Sequence, residues 1–217
     1  TIFSVMNGIY TINPSGSGSR NFTSFTNAIS ALNTLGIGGP VTFQVAAATY
    51  NEIITLTPVA GANSVSTITF DGGTGNAASR IISYNVATSY GAVITFNGAD
   101  YIAFKNLTIN STNSSYGYGF LFTNSADYNE VSNCVINLPT NTSSSYHIGI
   151  CGSSTSSTGT SGDWGNFNLI LKNTINSGYY GIHWYGSSST DYTTSRGNQF
   201  IDNTVVDWYY YGIRLYY

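Results

Sequence analysis

Tyr101-Ile-Ala-Phe-Lys-Asn106-Leu-Thr-Ile-Asn110 is repeated with changes three times downstream. The copies read Tyr128-Asn-Glu-Val-Ser-Asn133-Cys-Val-Ile-Asn137, Asn168-Leu-Ile-Leu-Lys-Asn173-Thr-Ile-Asn-Ser177 and Asn198-Gln-Phe-Ile-Asp-Asn203-Thr-Val-Val-Asp207. Each is followed by a glycine and an apolar residue, at Gly119-Phe120, Gly149-Ile150, Gly181-Ile182 and Gly212-Ile213, so the glycines lie 30, 32 and 31 residues apart. The aligned asparagines are spaced 27, 40 and 30 apart. A period near 30 belongs to a solenoid, in which one unit stacks on the next. Inside each unit apolar and polar residues alternate, as at Ile102, Phe104 and Thr108 or Leu169, Leu171 and Ile175, and alternation is the strand period.

Two or three short strands cannot bury their own apolar face. Stacked units can, with each strand pairing to its counterpart at a spacing of roughly 4.8 Å. The expected fold is therefore an all-β, right-handed parallel β-helix. Asn106, Asn133, Asn173 and Asn203 read as one buried column at a corner. Asparagine tolerates the left-handed conformation of a sharp turn, and its amide can bond to the amides above and below.

Before the repeats, Phe22, Phe25, Ala28, Ile29, Leu32 and Leu35 recur at helical spacing. Thr23 or Ser24 is available as N-cap and Gly36 as the stop. This predicts a helix over 23–35 inside an N-terminal cap of residues 1–40, closing the apolar end of the solenoid. Coils occupy 41–217, all in one domain. Because Tyr211–Tyr217 stops within a unit and nothing resembling a cap follows, we expect the native protein to continue into further coils or to meet another molecule there. Loops expand at 110–117, 138–146, 152–165 and 186–197, and the low-complexity run Ser153–Ser161 lies in one of them.

Only 7% of residues are charged and the net charge is −3, yet 41% are hydrophobic, which argues against disorder. Six scattered Lys and Arg residues form no basic stripe for nucleic acid. No apolar run approaches the ~18 residues of a membrane-spanning helix. Polarity comes from Ser, Thr, Asn and Tyr instead, a composition expected outside the cell or at its surface. Cys134 and Cys151 are expected as two separate thiols, in columns that point outward. By alignment the first takes the place of Leu107, Thr174 and Thr204, and the second that of Leu121, His183 and Arg214.

The opening Gly18-Ser-Arg-Asn-Phe-Thr-Ser-Phe-Thr-Asn-Ala-Ile29, then Val41-Thr-Phe-Gln-Val45 and Thr49-Tyr-Asn-Glu52, resembles the pectate-lyase-like β-helix superfamily, pectin methylesterases in particular. Ala92–Gly98 followed by Tyr101–Ile109 resembles the same family's third coil. The resemblance implies a β-helix; for a methylesterase it also implies a carboxylate nucleophile, a second acid and oxyanion-holding glutamines. At the matching rungs stand Tyr118–Leu121, Tyr146–Gly149 and Tyr180–His183, with no carboxylate among them. The esterase activity therefore does not carry over, and a fragment of a polysaccharide-active enzyme is the alternative to a non-catalytic structural or adhesive protein.

Candidate sites are few. Asp100 and Asp127 fall at equivalent repeat positions; they could hold a cation, or each could cap a turn, and capping needs no partner. No metal site or cofactor is otherwise indicated, and His147 and His183 read as surface residues. Tyr118, Tyr180, Trp184, Trp208 and Tyr211 cluster about the repeat glycines. A ladder of such rings could contact glycans, copies of itself or neighbouring surface proteins, or could shield the edge of the solenoid.

Overall fold

The structure, a computed structural model, describes residues 5–140, 143–153, 164–186 and 195–216. It is a right-handed parallel β-helix. Most of the run Ser153–Ser161, together with Asp163, Asp191 and Tyr217, lies outside the described residues.

Each coil passes through three sheets in turn. In the first complete coil Ile37–Val45 belongs to sheet A, Ala48–Tyr50 to sheet B and Ile54–Leu56 to sheet C. Five more coils follow in the same order, down to Gln199–Ile201, Thr204–Val206 and Tyr211–Tyr216. Sheet A carries two additional strands at its start, Met6–Ile12 and Asn21–Phe22. All the strand pairs are parallel; in the middle coils Ile109 lies opposite Ile136 and Ile136 opposite Ile175. The segment Ala48–Glu52 supplies a strand of its own at Ala48–Tyr50.

Alternation explains the interior. Phe43, Phe70 and Phe104 stack on one another at 4.9 and 4.7 Å along sheet A, and Phe96 stacks on Phe122 at 4.5 Å along sheet C. The helix forms at Phe25–Leu35, with Ser24 Oγ accepting from Asn27 N and Gly36 closing the C-terminus at φ 64°. It buries Phe25, Ala28, Ile29 and Leu32 over the first coils, and the Phe25 ring meets Tyr50 edge-on at 5.0 Å. Glu52 reaches back to its N-terminus and accepts from the backbone N–H groups of Phe25 and Thr26 at 3.0 and 2.8 Å. A carboxylate there satisfies amides that have no intrahelical partner and faces the positive end of the helix.

The repeat glycines do form one column, at the entry to sheet C. The reason is room: a methyl group on Gly149 would stand 2.5 Å from Gly181 O and 2.5 Å from Ile175 Cγ2. A Cβ at Gly119, Gly149 or Gly181 would collide with the next coil.

The asparagines do not form one column. Val135 lies opposite Thr174, and Thr174 opposite Thr204, so Cys134, Asn173 and Asn203 are equivalent, with Leu107 above them. Asn106 and Asn133 fall one residue earlier, in register with Lys172 and Asp202. Those four residues share φ values of 52–56° and make the left-handed corner between sheets A and B. The alignment on asparagine therefore slips by one residue between the second and third copies. In a strand, one residue reverses the direction of every side chain.

Candidate functional site

The slip decides where the cysteines go. Cys134 shares a column with Leu107 and Asn173 and points into the coil, not outward, where burial pushes its thiol up to about 12. Cys151 does face outward, in register with Leu121, His183 and Arg214. It is nevertheless fully buried, and burial raises its thiol far above the ordinary range. Both are free thiols, and neither is placed to act as a nucleophile.

Cys151 belongs to a second apolar cluster, on the outer face of sheet C. Ala92, Tyr118, Leu121, Ile148, Cys151 and Tyr180 pack there, outside the coil's own core. Tyr118 is 0% exposed and Tyr180 6% exposed, so neither presents a ring to a ligand. Trp184 points the other way. At 3% exposure it lies across Gly152 and reaches the Phe122 ring at 5.1 Å, within the main core. His147 and His183 are likewise fully buried and not at the surface. His147 Nε2 donates to Asn113 O at 2.9 Å, and burial lowers its pKa. The sequence reading gave the outward direction of Cys151 and His183, but direction alone does not tell whether the outer face is covered.

Two of the five aromatic candidates are exposed. Trp208 at 48% and Tyr211 at 44% join Tyr209 at 60% and Tyr210 at 52% on the corner that leads into the last strand of sheet C. Tyr209 and Tyr210 continue a stack begun by Tyr179, at 5.4 and 5.2 Å. Arg214 lies over Tyr180, Tyr211 and Tyr216 at 5.6, 5.8 and 4.6 Å and donates to the Tyr180 hydroxyl at 3.1 Å. The cluster offers amphipathic ring surface with one cation held among the rings.

The carboxylates are built into turns. Asp100 Oδ1 accepts from Asp127 N at 2.7 Å, Asp127 Oδ1 accepts from Asn166 N at 2.7 Å, and Asn166 Oδ1 accepts from Arg196 N at 2.9 Å. This is the capping arrangement repeated through four coils, with an amide serving in the third as well as carboxylates do in the first two. No group of three or more metal-binding side chains occurs among the described residues. Asp71 Oδ1 accepts from Gly73 N and from Asn106 Nδ2, both at 2.7 Å. Glu130 pairs with Lys105 at 2.7 Å.

Two amide ladders escaped the sequence reading. At the corner into sheet A, Asn129, Asn168 and Asn198 are bonded in series: Asn129 N donates to Asn168 Oδ1 at 2.8 Å and Asn168 N to Asn198 Oδ1 at 2.9 Å. The dipeptides Tyr128-Asn129 and Phe167-Asn168 were the available signal. Their first residues sit at φ 56° and 55°, and the rings of Tyr101, Tyr128 and Phe167 stack at 5.0 Å intervals. The other ladder, Asn110–Asn137–Asn176, runs on the outer face of sheet B, where Ile-Asn recurs at the end of three successive strands.

Strand pairing thus defines the chain as a member of the parallel β-helix class. No family model and no curated protein matches the chain. Among solved structures, the pectin methylesterase from Aspergillus niger is similar in its deglycosylated and penultimately deglycosylated forms. Each match has 13% identity and a TM-score of 0.43, covering 96% of this chain and 91% of that one. At such values the match speaks to neither substrate nor activity.

Proposed function

We propose that the chain is a non-catalytic structural or adhesive β-helix module of the cell exterior, contacting glycans or neighbouring proteins through the aromatic corner at Trp208–Tyr211. The observation that carries this reading is the exposure of four consecutive aromatic residues, stacked and braced by Tyr179 and Arg214. Exposed aromatic patches of that kind mark contact surfaces. The carboxylates support it from the other side. Glu52, Asp71, Asp100, Asp127 and Glu130 all hold turns, a helix end or an ion pair, which leaves none of these five free to act as nucleophile or general acid. An exterior location fits the hydroxyl- and amide-rich composition, and no described helix is long and apolar enough to cross a membrane.

A glycan array probed with the protein, run beside turnover assays on polygalacturonate and its methyl ester, tests the proposal. We expect retention that weakens in Trp208→Ala and Tyr211→Ala, with no turnover. Product release that disappears in Asp100→Asn would instead place catalysis on the carboxylate column and overturn the reading.

A further inference from the structure

We infer that the outer face of sheet B holds a separate binding site for a linear, uncharged glycan, lying in the groove beside the ends of the strands Thr108–Ser111 and Val135–Asn137. Asn110, Ser111, Thr112, Asn137, Leu138 and Pro139 line this groove, whose volume is about 340 Å³. That is within the range of small-ligand sites.

The amides define what would bind. Asn137 Nδ2 donates to Asn110 Oδ1 at 2.8 Å, and Asn176 Nδ2 donates to Asn137 Oδ1 at 2.7 Å. A primary amide has two N–H donors, and the ladder uses one from each of these two residues. Among the described residues, the second N–H of each and both of those on Asn110 meet no acceptor, which leaves them to a ligand. Ser111 alternates with Asn110, so its hydroxyl turns to the opposite face, toward Gly117 and Val86, and the donors offered in the groove are those of the amides.

None of the six lining residues is charged, so an ionic ligand finds no counter-charge in the groove. Leu138 and Pro139 supply an apolar wall beside the amide donors. A sugar ring matches that pair of surfaces, with hydroxyls to accept from the amides and a C–H face to lie on the wall. The amides also repeat once per coil, at the strand spacing of roughly 4.8 Å. That repeat is comparable with one ring of a linear polysaccharide, which would run along the axis of the solenoid toward Asn176. The inference shares only its class of partner with the adhesive reading and uses none of the aromatic corner.

The test is a side-chain amide NMR titration of the protein with cello-, xylo- and manno-hexasaccharides, and with a sulfated hexasaccharide as the charged control. We expect saturable shifts at Asn110 and Asn137 with at least one neutral probe and none at these residues with the charged one. Thr112 is exposed, so Thr112→Trp should fill the groove without disturbing the ladder and weaken binding about tenfold or more. Trp208→Ala should leave that affinity unchanged. No saturable shift with any neutral probe would overturn the site, as would equal binding by Thr112→Trp. Shifts confined to Trp208–Tyr211 would also overturn it while leaving the adhesive reading standing. Turnover of polygalacturonate would do the reverse.

Discussion

Asn173 shows what a corner amide does in this fold. Its Oδ1 accepts from Cys134 N at 3.0 Å, while its Nδ2 donates to Val131 O at 2.8 Å and approaches Asn203 Oδ1 at 3.0 Å, all at 1% exposure. Asn173→Ala leaves the Cys134 N–H and the Val131 carbonyl unpaired, so chemical denaturation should show a loss of roughly 1–3 kcal/mol. The titratable residues give opposite pH dependences. Asp100 titrates above its ordinary value of 3.8, chiefly because burial disfavours its charge; the bond from Asp127 N opposes this and the Asp127 charge adds to it. The native state therefore holds that proton longer than the unfolded chain, and stability falls as pH rises from 3.8 through the raised value. Asp100→Asn should abolish that slope and keep the turn, since Asn166 already fills the equivalent position two coils on. His147 has the opposite sign. Burial holds its pKa below 6.5, so its contribution is intact above that value and is lost as pH falls through the depressed one. Unfolding free energies measured across pH 3–7 should lose the second slope in His147→Gln; persistence of the slope would assign it elsewhere.

At the scale of the element, the column Gly119–Gly149–Gly181–Gly212 forces the strands of sheet C to start close together. Gly149→Ala should cost about 1–3 kcal/mol, because the added methyl meets backbone on one side and Ile175 on the other. A melting temperature equal to the parent's would show that the coils can spread at that point. The glycine column was legible in the sequence because glycine recurs there in four successive coils at a near-constant spacing. The capping helix was legible too, from six apolar residues at helical spacing between Ser24 and Gly36. The asparagine column was not, because two adjacent corner positions both favour asparagine. One wants its left-handed backbone, as at Asn106 and Asn133; the other wants its amide, as at Asn173 and Asn203. Residue type alone cannot separate these demands; the apolar alternation on either side could, since Ile136 and Ile175 must face the same interior. The burial of Tyr118 and Cys151 was illegible for another reason. Their neighbours repeat from coil to coil, as Ala92–Tyr118–Ile148–Tyr180 and Leu121–Cys151, but alternation gives only the direction of a side chain and not whether the face it points to is covered.

At the scale of the whole molecule, nearly every strand pairs with one in the next coil, so native contacts join residues about thirty positions apart. Closing such loops before any contact rewards them predicts folding in the slow range of β-rich topologies, milliseconds to seconds or longer. The last coil differs from the middle ones in that Ile201, Val206, Ile213 and Leu215 are all exposed. Hydrogen exchange should therefore be fastest in 199–216 and slowest around Phe70, Phe104 and Phe120. The two thiols extend this to a finer reading, because they lie behind different walls. Cys134 is enclosed by the coil itself, whereas Cys151 is one of the side chains packed on the outer face of sheet C. A disulfide reagent should thus run two clocks at once. Cys151 would be modified whenever that outer face is uncovered with the solenoid intact, and Cys134 only when the corner between sheets A and B comes apart. Following each rate alone, in Cys134→Ala and Cys151→Ala proteins, would time the shedding of the coat apart from the unwinding of the spring beneath it.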